Sequence, residues 1–309
     1  RSAMYHKGRL FVDSKGLYEL VKNDATQEVN TPSFKKIEGI ENTIKSILPY
    51  DDDILAFNAG LLFIIDAKND LKFTERHAFT FTSILRSKID PSRVYVGTLK
   101  GKLLECTYED KQWTVASEPI VNLNVSIEGI VENPNGSLWL QTYADGLYFA
   151  EKQQKNTTAE ARFTLKKFDT LSGLPSMTYN SIYHFKNKIH VTTDDGMYRF
   201  NKTTQTFEKD SLLNNQYTPD VDAYGRMGQS TDTKSTIWQT VREGFENRLY
   251  TLHEDKLTEV SEFNVYTDFD IYSMEFLGDI PLLLGPKGML AMNPNQTRPS
   301  KKQFNTQIR

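Results

Sequence analysis

The chain has 309 residues, 38% of them hydrophobic and 12% aromatic, with 37 basic against 40 acidic side chains and a formal net charge of −3. That near balance argues against general binding to nucleic acid or to anionic membranes by bulk electrostatics. A single cysteine, Cys106, excludes an intramolecular disulfide, and no apolar run reaches the roughly 18 residues that a membrane-spanning helix needs.

The chain opens directly in strand pattern at Ala3 with no secretory signal ahead of it. This is expected of a mature protein or of a soluble piece of something longer. From there one motif recurs: an apolar strand, a turn closing on glycine, and a second apolar strand. The first copy spans Arg9 to Tyr18 around Gly16. The second reads as four strands, Ser46–Tyr50, Asp53–Phe57, Gly60–Ile64 and Leu71–Arg76. The third reads as Ser83–Arg86, Arg93–Val96, Lys102–Glu105 and Gln112–Val115. The fourth, Ser137 to Tyr148 around Gly146, is followed by a hydrophilic hairpin extension over Glu151–Glu160. The fifth is the clearest: Asn180–Phe185, Ile189–Thr193, a tight turn Asp194-Asp195-Gly196, Met197–Phe200 and Gln205–Lys209. A long polar segment, Leu212 to Lys234, then precedes a degenerate sixth copy, Thr236–Gly244 with Arg248–Tyr250. The seventh is Ile280–Leu290 around Gly288, with a tail strand over Lys302–Gln307 to serve it.

The marked glycines step by 44, 41, 45 and 50 residues from Gly16 to Gly196, and by 92 to Gly288, which leaves room for one copy between. Four short antiparallel strands per copy make a propeller blade. The expected fold is therefore all-β, a seven-bladed β-propeller of four-stranded antiparallel blades. It is expected as one domain over 1–309, with blades near 1–34, 35–78, 79–120, 121–168, 169–211, 212–263 and 264–309. Closure is expected from side-chain packing between the end blades, without strand exchange.

Catalytic patterns are sparse. The five histidines, His6, His77, His184, His190 and His253, lack metal-ligand spacing, and only His184 and His190 share a copy. Asp51-Asp52-Asp53 reads as a solvated acidic turn, because a calcium site needs more oxygen ligands in a defined loop. Cys106 reads as a small apolar strand residue. The serines at first strands (Ser2, Ser46, Ser83, Ser181 and Ser273) read as small residues for a crowded axis. No catalytic residue, metal or cofactor is expected.

Geometry gives the better functional argument. In a propeller the loops between second and third strands, and those joining blades, gather at one mouth of the channel. The first set holds Lys15, Asn58, Lys100, Tyr143, Asp145, Asp194, Arg242, Glu243 and Lys287. The second holds Tyr179, Tyr217, Tyr224, Arg226, Tyr266 and Asp268. Aromatic plates beside polar groups suit a small molecule or oligosaccharide. The candidate ligand-binding residues are Lys100, Tyr143, Asp145, Tyr179, Asp194, Tyr217, Tyr224, Arg226, Arg242 and Tyr266.

The fourth and fifth copies also carry a signature. Glu132 to Tyr148, with Gly136-Ser-Leu-Trp-Leu-Gln-Thr142 and Gly146-Leu-Tyr148, resembles the two-component regulator propeller repeat. So does Phe168 to Ile182, whose Gly173-Leu-Pro-Ser-Met177 is similar to that family's linker into the next first strand. The second, sixth and seventh copies depart from it; Pro281 stands where the tryptophan would be. The resemblance implies the periplasmic or extracellular input domain of a bacterial signalling receptor, without enzymatic activity, recognising a carbohydrate or other small nutrient beside neighbouring receptor domains. Cysteine usage fits the cytosol or a bacterial periplasm. A scaffold propeller of a surface assembly is the alternative, and a propeller lyase or hydrolase a third reading.

Overall fold

The computed structural model describes residues 3–21, 33–109, 112–153, 163–186, 188–214, 229–231, 236–243, 246–266, 269–271, 273–277, 280–286 and 288–292. They form antiparallel sheets, each built from consecutive strands. The first comprises β1 (Ala3–His6), β2 (Arg9–Asp13), β3 (Leu17–Val21) and β4 (Ser33–Lys36). The second comprises β5 (Ser46–Tyr50), β6 (Asp53–Phe57), β7 (Leu61–Ile65) and β8 (Leu71–Arg76). The third holds β9 (Phe81–Arg86), β10 (Arg93–Thr98), β11 (Lys102–Glu109) and β12 (Gln112–Val115), with a short β13 (Val121–Asn122) also on β11. The fourth is β14 (Ile127–Glu132), β15 (Leu138–Thr142), β16 (Leu147–Lys152) and β17 (Phe163–Phe168). The fifth is β18 (Ser181–Phe185), β19 (Lys188–Thr193), β20 (Gly196–Asn201) and β21 (Thr206–Lys209). A one-turn helix, α1 (Ser211–Asn214), leads out of it. The sixth is β22 (Gln229–Thr231), β23 (Ile237–Glu243), β24 (Glu246–His253) and β25 (Lys256–Glu259), and the last is β26 (Ser273–Leu277), β27 (Ile280–Gly285) and β28 (Gly288–Ala291). No described helix is long and apolar enough to cross a membrane.

The architecture is thus an all-β propeller with four-stranded antiparallel blades, six of them complete. The expected seven-bladed ring is not shown: the last sheet has three strands among the described residues, and the tail strand expected over 302–307 falls outside them. Two boundaries shift. β4 runs past residue 34, and the polar stretch 212–234 contains most of α1 and the first strand of the sixth sheet, so it is not one long loop. Of the extension over 151–160, Glu151 and Lys152 continue β16, and the residues from 154 lie outside the described ones.

The chain divides into two compact units, residues 1–76 with 215–309, and 77–214. In the first unit the alternation of β2 explains its near-continuous apolar sequence. Phe11 faces the second sheet, in a core with Ile54, Ala56, Phe63 and Ile65. Leu10 and Val12 face the other way, against Leu282 and Leu284 of the last sheet. A strand buried on both faces has no polar side to display. The sixth sheet meets the last through Trp238, Leu249, Phe263, Met274 and Leu283. The end sheets of the chain therefore touch through side chains, and among the described residues no strand is exchanged between them.

The second unit repeats the scheme. On β15, Leu138 and Leu140 face the third sheet, with Tyr95, Leu103 and Ile127. Trp139 faces the fifth, with Phe168, Ile182, Val191 and Phe207.

The sequence period appears here as hydrogen bonds. Equivalent positions of adjacent sheets lie about one copy apart and bond to each other. His6 Nε2 pairs with Asp51 O (2.8 Å), Thr82 Oγ1 and Ser83 Oγ donate to Ile127 O (2.6 and 2.8 Å), and Ser87 Oγ donates to Glu132 (2.7 Å). Of the first-strand serines Ser83 is buried, while Ser46 and Ser181 are half-buried. The acidic turn is neutralised locally, Asp52 by Lys7 and Asp53 by Lys72.

Candidate functional site

In the third and fourth sheets the turn between the second and third strands is fixed by the linker that enters the same sheet. In the third sheet Leu99 N donates to Thr80 O (2.8 Å); in the fourth Tyr143 N donates to Ser126 O (3.1 Å). In the third, fourth and fifth sheets a threonine closes this turn from inside. Thr98 Oγ1 accepts from Lys102 N, Thr142 Oγ1 bridges Asp145 N and Gly146 O, and Thr193 Oγ1 bridges Asp195 N and Gly196 O. The outgoing linker then crosses the turn closely. Gly146 N donates to Met177 O (2.9 Å), and a Cβ on Gly146, at φ +71°, would stand 2.3 Å from Phe168 O. Only glycine fits that approach.

With the turns pinned, their tips are presented to solvent. Tyr143 is 63% exposed. Tyr179, on the linker between fourth and fifth sheets, is 53% exposed and sits at φ +57°. That left-handed conformation costs about 1 kcal/mol. It is held by its neighbour Asn180, which is buried and donates from Nδ2 to Ser176 O (2.8 Å). Leu99, Leu171 and Leu212 are exposed on the same set of turns and linkers, Leu171 to 94%. Polar groups are the usual occupants of turns, so these leucines are not among the candidates that residue type alone picks out. An apolar residue at a turn tip, as in Thr98-Leu99-Lys100, was the available signal. Lys100 is exposed beside Leu99, and Asp194 is half-buried in its turn.

Asp145 is engaged within its own sheet. Tyr148 donates to its Oδ2 (2.6 Å) and Lys167 to its Oδ1 (2.5 Å). The fifth sheet repeats the arrangement, with Tyr198 and Lys209 on Asp195 Oδ2 (2.5 and 3.1 Å). The register sets this up, since Tyr148 lies opposite Lys167 and Tyr198 opposite Lys209. Partial burial raises the Asp145 pKa, but the Lys167 and Tyr148 hydrogen bonds outweigh it and hold the carboxyl below its usual range. Burial, with Asp145 as acceptor, pushes the Tyr148 phenol up to about 12. Asp145 is thus an ionised clamp of its own turn, and Tyr148 is a fixed donor to it.

Two further loop residues also make contacts of their own. Tyr266 packs on the core of the sixth and last sheets, its ring 6.4 Å from Phe263, so it is a packing residue. Asn58 is buried and accepts from Leu61 N (3.2 Å), a turn cap. Tyr217, Tyr224, Arg226, Asp268 and Lys287 lie outside the described residues; Arg242 and Glu243 end β23, with side chains outside them. The structure therefore brings Lys100, Tyr143, Tyr179 and Asp194 to one set of turns and linkers in the second unit. His184 and His190 fall on opposite faces of their hairpin. His190 pairs across from Tyr183, stacks on its ring at 5.6 Å and approaches Asp210 (3.5 Å); His184 reaches Glu132 O (3.2 Å). Among the described residues no cluster of three metal-ligating side chains forms.

The class these observations define is the β-propeller. Solved structures agree. The chain is similar to the extracellular domain of the hybrid two component system BT4673 from B. thetaiotaomicron at 13% identity and a TM-score of 0.63, over 93% of this chain and 37% of that one. The chain is also similar to BBS1N, solved in complex with ARL6DN, at 12% identity and a TM-score of 0.59, over 92% of this chain and 86% of that one. A third likeness is to the β-propeller domain of Myceliophteria thermophila Cps50 (Swd1), at 9% identity and a TM-score of 0.59, over 94% of both chains. The chain spans little more than a third of the length of the first of these. No protein-family model and no curated protein matches the sequence.

Proposed function

We propose that this chain is a non-catalytic recognition propeller, the extracytoplasmic input domain of a bacterial signalling receptor, binding a small neutral solute such as an oligosaccharide. In this reading the last sheet, completed by the tail strand, is the seventh blade of a closed ring, and the parent protein carries neighbouring domains. The observation that carries it is the pair of solvent-facing aromatics, Tyr143 and Tyr179, on turns whose backbones are fixed by hydrogen bonds. A preorganised ring loses little entropy on stacking against an apolar ligand face. Asp145, two residues from Tyr143, is paired with Lys167, and Asp195 with Lys209. The likeness to an extracellular domain of a hybrid two component system supports the compartment.

Thermal-shift screening against oligosaccharides, amino acids and short peptides tests the reading. A ligand at about 100 times its Kd stabilises the chain by about 2.7 kcal/mol. Tyr143→Ala and Tyr179→Ala then reduce that shift without lowering the ligand-free melting temperature. No shift with any solute refutes it. A second reading, docking of another protein domain, is favoured by one observation: Leu171 and Leu212 stand exposed on the same linkers. Loss of partner capture in Leu171→Glu, with small-solute shifts absent, would favour that reading.

A further inference from the structure

The first sheet packs against the last through β1 and β26. Its apolar core is Ala3, Leu10 and Val12 against Leu282 and Leu284. Strand register puts Glu275 directly opposite Leu282, on the face that Leu282 and Leu284 turn toward the first sheet. The alternate residues of β26, Met274 and Phe276, face the sixth sheet, where Phe276 lies 5.9 Å from Trp238. A carboxyl therefore stands in the seam between the beginning and the end of the chain. Among the described residues it has neither a hydrogen-bond donor nor a cation.

Glu275 is half-buried, and the described side chains around it are apolar apart from the Tyr5 phenol. β1 contributes Ala3 and Tyr5 to this face, and β2 contributes Leu10 and Val12. Arg9 is turned away over the Phe11 ring and paired with Glu19. Leu20 and Phe34 come from β3 and β4, Leu282 and Leu284 from β27, and Met289 from β28. Tyr5 is the one titratable side chain among those described here. Burial alone pushes the Glu275 carboxyl up to about 7.

We propose that Glu275 makes the packing of the last sheet on the first a proton-dependent closure, in which the neutral carboxyl stays in the seam and the ionised one draws water into it and loosens it. The sign follows from linkage. The folded chain keeps a proton that the unfolded chain gives up above its ordinary value of 4.5. Stability is then greatest below that value, falls as pH rises toward 7, and levels off above.

The test compares the wild-type chain with Glu275→Gln, which keeps the shape and cannot ionise. Melting temperatures are measured from about pH 4.5 to about pH 8.5, a window spanning both values. The wild-type curve is expected to fall relative to the variant through the acidic range and to run parallel to it above neutrality. Amide exchange in Ala3–His6 and Ser273–Leu277 at the alkaline end is expected to be faster in wild type than in the variant at the same pH. Curves parallel throughout overturn the proposal. Where the variant fails to fold, carboxyl NMR titration of the wild-type chain decides. A Glu275 midpoint near 7 supports the closure, and one near the ordinary glutamate value refutes it.

Discussion

Trp139→Ala tests the packing logic most directly. Trp139 is buried on β15, with ring centroids of Phe149, Phe168, Phe200 and Phe207 at 4.9, 5.0, 5.0 and 5.8 Å. Phe149 and Phe168 belong to its own sheet, Phe200 and Phe207 to the next, so one indole joins the two. A buried tryptophan withdraws about 200 Å² from water, worth ~5 kcal/mol at ~25 cal/mol per Å². Four rings close around the space it vacates and can collapse only in part, which keeps the loss within the usual ~3–5 kcal/mol for large aromatic truncations. In a chain of this size that lowers the melting temperature by roughly 2 °C per kcal/mol, about 8 °C in all. Trp139→Phe keeps a ring in the cluster and is expected to lose about 1–2 kcal/mol. The assay is urea unfolding followed by far-ultraviolet circular dichroism, since the substitution removes a fluorophore. Hydrogen exchange should show the loss in β15 and β20 before β10. A cost below about 1 kcal/mol for the alanine variant would refute the assignment of this indole as the joint between the fourth and fifth sheets.

Gly146→Ala forces a Cβ to 2.3 Å from Phe168 O at φ +71° and is expected to destabilise by about 1–3 kcal/mol, read from the urea midpoint. Asp145→Asn and Tyr148→Phe, made singly and together, should couple by about 1 kcal/mol in a double-mutant cycle; strict additivity would mean that the 2.6 Å bond between them adds nothing. Burial lowers the His190 pKa despite Asp210 nearby. Its contribution is therefore complete above the ordinary imidazole value and is lost as pH falls below it, because the unfolded chain takes up the proton first. An imidazole NMR titration midpoint at or above about 6.5 would contradict this.

How much could be read from the chain depended on which face a residue served. The second strands were legible because burial on both sides leaves a continuous apolar run, as in Leu10-Phe11-Val12. The tight turns were legible because their glycines are obligatory: Gly196 sits at φ +108°, where a Cβ would meet Asn214 Oδ1 at 2.2 Å. First strands were harder. β22 is three residues long in polar sequence, too short to show an alternating pattern. The site was legible as a set of loops but only partly as residues. Tyr143 and Tyr179 stand where loop topology puts them. Asp145 and Tyr266 carry residue types suited to a ligand, yet their partners come from elsewhere in the chain, Lys167 on β17 and the core around Phe263. Spacing along one strand does not show which fourth strand closes over it.

A repeat architecture supplies its own control for functional assignment. The Tyr148–Asp145–Lys167 cluster, met alone, has the composition of an acid–base site: a phenol, a carboxylate and an amine within hydrogen-bond reach. Its counterpart Tyr198–Asp195–Lys209 occupies the same positions of the next sheet. A constellation that recurs with the fold answers a need of the fold, here the fastening of a turn to the outermost strand. Candidates for function are the features that break the period. Left-handed Tyr179 is one, the exposed Leu171 another, and Glu275, an acid on an innermost strand where the equivalent positions of β1 and β9 are apolar or small, a third. Each opposes the local preference for stability, by backbone strain, by exposed apolar surface or by a half-buried carboxyl with no partner among the described residues. The three features also lie apart in the chain, the first two in one compact unit and Glu275 in the other. Substituting one should leave the readout of the others unchanged, so a Tyr179→Ala chain should retain the Glu275-dependent melting profile in full.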